Sequence, residues 1–158
     1  MSTLYFDSSA LVKYYLVEIG TPWVRSILDA RKGRDWEHDV STSILTIAEV
    51  VSAFTRRRRA RQISATLYSA IISRFLREGR YRCHPLGVDE SVVNAATELL
   101  QRHPLRAYDA VQLATALRLD HLLRDNRLSP VTFVSADGVL CDAARAEGLT
   151  AENPNDHP

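Results

Sequence analysis

Four acids stand at positions that could put them to chemical use: Asp7, Glu49, Asp109 and Asp137. Asp7 directly follows the apolar run Leu4-Tyr5-Phe6, and Asp137 follows Val131-Thr132-Phe133-Val134 after Ser135-Ala136. Each has an ordinary structural explanation. Asp7 and Asp137 are turn formers, Asp109 favours a helix N-terminus by about 0.3–1 kcal/mol, and Glu49 could face water. Gathered in one place, they would repel by about 4 kcal/mol for a pair 4 Å apart at an effective dielectric of 20. A divalent cation relieves that repulsion directly. Oxygen ligands with no His or Cys at matching spacing suit Mg²⁺ or Mn²⁺, and such an ion lowers the pKa of a bound water.

The elements that would position these acids are short apolar strands alternating with helices. Leu4–Phe6 predicts a first strand, and apolar spacing from Ala10 to Val17 predicts a helix after it. A second helix starts at Thr21 or Pro22, Arg31 to Glu37 reads as a loop, and His38 to Thr42 as a short strand. Ser43 or Thr46 caps a helix with the stripe Ile47, Val50, Val51, Phe54; Glu49 lies nearly opposite it, beside Ser52 and Ala53 and then Arg56. Helices are expected from Ser64 to Gly79, from Asp89 to His103, and from Ala107 to Leu123, the last placing Asp109 in its first turn. Arg82–Leu86 and Val131–Val134 complete the strands, with a final helix over Val139–Glu147. Alternation of this kind implies an α/β domain with a parallel sheet covered on both faces. Its ligands sit beyond the carboxyl ends of the strands, where Asp7 and Asp137 would emerge together.

The chain has 158 residues, 46% hydrophobic and 25% charged, as expected of one globular domain. We expect that domain over residues 1–150, with 151–158 as a polar, frayed tail. No apolar run reaches a membrane span and no secretory signal is legible. Cys83 and Cys141 form no C-x-x-C pair, so reduced cytosolic thiols and a cytoplasmic protein are expected. The net charge of +1 conceals an uneven distribution. Phe54 to Arg82 holds nine arginines, Arg56, Arg57, Arg58, Arg59 and Arg61 among them, against the single acid Glu78. That segment carries +8, which leaves −7 for the rest and points to a polyanionic partner. The alternative is that these arginines simply solvate a helix C-terminus.

Four blocks in this order resemble the PIN-domain ribonucleases, and more narrowly the VapC-type toxins of type II toxin–antitoxin pairs. They are Tyr5-Phe6-Asp7-Ser8-Ser9-Ala10-Leu11-Val12-Lys13, Ile47-Ala48-Glu49-Val50-Val51-Ser52-Ala53, Leu105 to Leu117 around Asp109, and Phe133-Val134-Ser135-Ala136-Asp137. The resemblance implies a three-layer α/β/α fold with a central, mainly parallel sheet flanked by helices. It implies a metal-dependent ribonuclease in which Asp7 and Asp109 bind Mg²⁺ or Mn²⁺ directly. Glu49 and Asp137 would hold a second ion or position water, and Ser8, Ser9 and Ser135 would support the pocket. Arg56–Arg59 and Arg61 would hold the RNA backbone. The implied partners are an RNA substrate, a second copy of the chain in a homodimer, and a small cognate antitoxin, with no membrane. Tyr14–Val17 could contribute apolar surface to such contacts or belong to the core. The rivals are a PIN-like domain that binds RNA or a partner without catalysis, and a PIN nuclease of RNA processing. A dehalogenase-type phosphotransfer site is disfavoured because Asp7-Ser8-Ser9 lacks the second acid of an Asp-x-Asp.

Overall fold

The computed structural model describes residues 2–157, Arg80 by its backbone alone; Met1 and Pro158, at the ends of the expected domain and tail, lie outside them. Along the chain, β1 (Ser2–Phe6) leads into α1 (Ser8–Tyr15) and α2 (Thr21–Leu28). A hairpin of β2 (Arg31–Lys32) and β3 (Asp35–Trp36) precedes β4 (His38–Ser43). Then come α3 (Thr46–Arg59), α4 (Ala65–Arg82), β5 (His84–Leu86), α5 (Glu90–Arg102) and α6 (Ala107–Asp125). The chain closes with β6 (Thr132–Val134), α7 (Gly138–Ala146), β7 (Thr150–Glu152) and a short 3₁₀ turn over Pro154–Asp156.

Five strands form one sheet in the order β5-β4-β1-β6-β7, and every neighbouring pair runs parallel. β1 lies at the centre: Leu4 pairs with Val40 on one side and Thr132 on the other. The order reverses direction at β1, and such a switch point opens a crevice beyond the strand ends. Side chains of β1 alternate between faces, as the two-residue period requires. Leu4 and Phe6 join a core with Ala10, Val24, Val50, Phe54 and Phe75 from α1 to α4. Tyr5 joins a second core with Val92, Leu99, Leu113 and Leu140 from α5 to α7. The architecture is therefore α/β/α.

Several local expectations are corrected. Residues 31–36, read as loop, form the small β2–β3 hairpin, with Trp36 under the guanidinium groups of Arg31 and Arg82. Helix α4 continues past Gly79 to Arg82, whose guanidinium bonds the carbonyl oxygens of Ile27 and Leu28; that tertiary anchor overrides the glycine stop signal. At the start of α3 neither Ser43 nor Thr46 is the cap; Leu45 holds that position without a side-chain bond.

The tail expectation is corrected more substantially. Thr150–Glu152 joins the sheet edge beside β6, Pro154 is buried, and His157 stacks on Trp23 at 4.4 Å. Of Tyr14–Val17, Tyr15 and Leu16 are core residues, whereas Val17 is exposed. Among the described residues no helix is long and apolar enough to cross a membrane, and both cysteines are buried and unpaired.

Candidate active site

Asp7 is the residue on which the site is built. It caps α1 by accepting the Ala10 N–H at 2.9 Å, while its own N–H donates to the Val134 carbonyl at 3.0 Å. Ser9 donates to its Oδ1 at 2.7 Å, and Ser135, from the turn after β6, donates to Oδ2 at 2.7 Å. Three donors thus fix a carboxylate that is only 3% exposed. Burial is the main influence on its proton affinity, pushing the pKa up to about 6. The three hydrogen bonds oppose that rise, and the nearby charge of Asp109 adds to it.

Glu49 projects from the first turn of α3 and is half-buried. Its Oε2 accepts from Gln112 Nε2, and Gln112 is itself clamped: its Oε1 accepts the Tyr5 hydroxyl at 2.7 Å and its Nε2 also donates to Thr46 Oγ1 at 2.8 Å. Desolvation pushes the Glu49 pKa up to about 7; Asp7 and Asp109 push the same way, against the Gln112 and Ser8 hydrogen bonds. Asp109, in the first turn of α6, is raised too, by burial and then by the charge of Asp137. Asp137 is exposed and caps α7, accepting the N–H groups of Val139 at 2.9 Å and Leu140 at 3.2 Å. The ordinary explanation of Asp137 therefore holds in full, alongside its influence on Asp109. The fold sets Asp7, Glu49 and Asp109 within one another's fields.

A groove of about 640 Å³ has Glu49 in its wall, together with the sequence neighbours of Asp7, Asp109 and Asp137, namely Ser8, Tyr108 and Ala136. Ser8, Ser9, Glu49, Arg56, Arg57 and Tyr108 are in its walls. The α3 wall consists of two rows of i, i+4 neighbours, Ala48-Ser52-Arg56 and Glu49-Ala53-Arg57, so small side chains separate the acid from the arginines. At 1.5 Å rise per residue, Glu49 and Arg57 stand about 12 Å apart along the axis. Lys13, almost fully buried, donates to the Ile19 carbonyl at 2.8 Å and pairs with Glu18 at 3.3 Å; Glu18 also pairs with Arg57. Arg58, Arg59 and Arg61 are not in the groove wall, and Arg61 occupies the turn before α4 with φ of 57°. A smaller, mostly apolar cavity of about 30 Å³ between α1, α3 and α4 contains none of the four acids. Asp142 pairs with Arg145 at 3.0 Å and takes no part in the groove.

Among the described residues, no group of three or more His, Cys, Asp or Glu side chains is drawn close enough to form a metal cage by itself. The donor set nonetheless suits a hard cation held by one or two carboxylates with water completing its shell, since all its members are oxygens and burial and mutual charge destabilise the ionised forms. Sequence reasoning missed Gln112, Lys13 and Asn155. Gln112 carried a signal, being a polar residue on the inward face of an apolar helix; it is 1% exposed. Asn155 could not be found that way. It reaches the groove because the final 3₁₀ turn packs beside Ala136, whose carbonyl accepts from its Nδ2 at 3.1 Å.

The PIN domain family matches residues 4–134. The chain belongs to that family, whose members are generally nucleases. Among solved structures, the chain is similar to one described as a toxin-antitoxin complex from Klebsiella pneumoniae. That match has a TM-score of 0.55 at 12% identity and covers 96% of this chain and 97% of the other. This likeness shows the fold. No curated protein matches the chain.

Proposed function

We propose that this protein is a metal-dependent endoribonuclease that acts as the toxin of a toxin–antitoxin pair. One observation carries the reading: Asp7 and Glu49 are buried within the field of Asp109, and Glu49 stands in a groove that also presents Arg56 and Arg57. Asp7 and Asp109 would hold Mg²⁺ or Mn²⁺, with Glu49 and Asp137 beside them. When bound, such an ion supplies Lewis-acid chemistry, polarising the phosphoryl group and acidifying water near neutral pH. Ser9 and Ser135 keep the Asp7 carboxylate in one orientation, and Ser8 supports Glu49. Glu49, held in place by Gln112 and Ser8, is suited to take a proton from the attacking water. Arg56 and Arg57 hold a phosphate flanking the scissile one, giving affinity without base choice.

The same reading makes the protein a cytoplasmic homodimer restrained by a small cognate antitoxin. Its buried, unpaired thiols fit a reducing compartment, and the toxin-antitoxin description of a structure with the same fold supports the partner. The test is to incubate the purified protein with structured and unstructured RNAs, with Mn²⁺ and with chelator, beside the Asp7→Asn variant. Cleavage by the wild-type chain with Mn²⁺ alone is expected. Cleavage undiminished in chelator or in the variant overturns the site.

A further inference from the structure

Tyr108 is exposed over 59% of its surface, yet it lies in the wall of the groove beside Glu49, Arg56 and Arg57. A solitary exposed tyrosine is ordinary on a protein surface. Its surroundings set this one apart. Tyr108 precedes Asp109 in the first turn of α6, so one helical turn carries both an acid of the site and an open aromatic face. The facing wall of α3 offers Ala48, Ser52 and Ala53, whose small side chains leave room for a flat group. The arginines beyond them draw a polyanion into that space. An aromatic face beside a cationic backbone track is what a stacked, unpaired base requires.

Resting on the nuclease reading above, we infer that Tyr108 is the stacking platform for a nucleobase next to the bond that is cut. It positions the RNA strand while the acids act on the phosphate. Its hydroxyl is dispensable for this purpose and its ring is not.

The test combines protein and substrate changes. Wild-type, Tyr108→Phe and Tyr108→Ala chains are compared on a short RNA whose cleavage site has been mapped, and on the same RNA made abasic on either side of that bond. Binding is followed separately in chelator, through the fluorescence of 2-aminopurine placed at those positions. Stacking on an aromatic side chain leads us to expect about a tenfold or greater rise in KM for Tyr108→Ala with kcat little changed, and near-normal behaviour for Tyr108→Phe. One abasic position should cost the wild type the same factor and cost Tyr108→Ala nothing further. Equal KM for wild type and Tyr108→Ala, or the same abasic penalty in both, overturns the inference while leaving the nuclease reading intact. Tyr108-dependent quenching by a wild-type chain that cuts nothing with Mn²⁺ would keep Tyr108 as a base-stacking platform but sink the nuclease reading and, with it, the placement beside a cut bond.

Discussion

Asp7 serves two ends that conflict energetically. As the cap of α1 it satisfies the Ala10 N–H, but its charge is buried beside another carboxylate, so the ionised form is held at a cost to the fold. Asparagine keeps an acceptor at the cap and removes the charge. Asp7→Asn should therefore abolish RNA cleavage while leaving the melting temperature at pH 8 equal to or above that of the metal-free wild type. Activity and thermal unfolding of the same preparation check both halves. Gln112 makes the opposite case. Replacing it with Leu strands the Tyr5 hydroxyl and the Thr46 contact inside the core and frees Glu49. We expect a loss of about 1–3 kcal/mol in urea unfolding, from the unpaired buried groups, together with a lower kcat.

Two elements fix the extent of the groove, and only one was legible beforehand. Helix α3 could be read directly, because the stripe Ile47, Val50, Val51, Phe54 defines its buried face and leaves Glu49, Ser52, Ala53 and Arg56 on the other. The spacing from acid to arginine along that helix gives a prediction. Replacing Arg56 and Arg57 with Ala should lower the salt dependence of RNA binding by nearly two phosphate contacts, whereas replacing Arg59 and Arg61 should change it less. Filter binding across a salt series measures the slopes. The final strand and turn were not legible. Ala151 and Pro154 are isolated apolar residues among polar ones, and their order comes from pairing with β6 and packing on α2, which local pattern does not encode. Gly20 shows how close that packing is. Its φ is +82°, and a Cβ there would lie 2.1 Å from the Pro154 carbonyl oxygen. Gly20→Ala should thus be severely destabilising, by about 2 kcal/mol or more in equilibrium unfolding, through backbone conflict and a displaced C-terminal turn.

For the molecule as a whole, the sequence patterns delivered the layers and the parallel sheet, because strands and helices alternate with clear apolar runs. They also delivered the acids at the strand ends. What they could not deliver was the state of those acids, since proton affinity depends on burial and on charges brought from β1, α3, α6 and the turn after β6. Asp7 and Glu49 bind protons more tightly in the folded chain than in the unfolded one. The folded state accordingly carries extra protons from about pH 4 to pH 7, and metal-free stability falls as pH rises through that window. A divalent cation that binds only the folded, ionised site should reverse the loss. Thermal melts are expected to show a larger rise with Mg²⁺ or Mn²⁺ at pH 8 than at pH 5, and no such difference in an Asp7→Asn, Glu49→Gln double variant.

The central place of β1 has a consequence for how the activity comes into being. This strand is made before both of its neighbours, and its second edge waits for Thr132–Val134 while its aspartate waits for Ser135. Ser135 lies 128 positions after Asp7, so the carboxylate is locked in place only once that much further chain has been made. Until then β1 lacks one of its two neighbours, so the groove's acids are brought together by long-range pairing and not by the local chain.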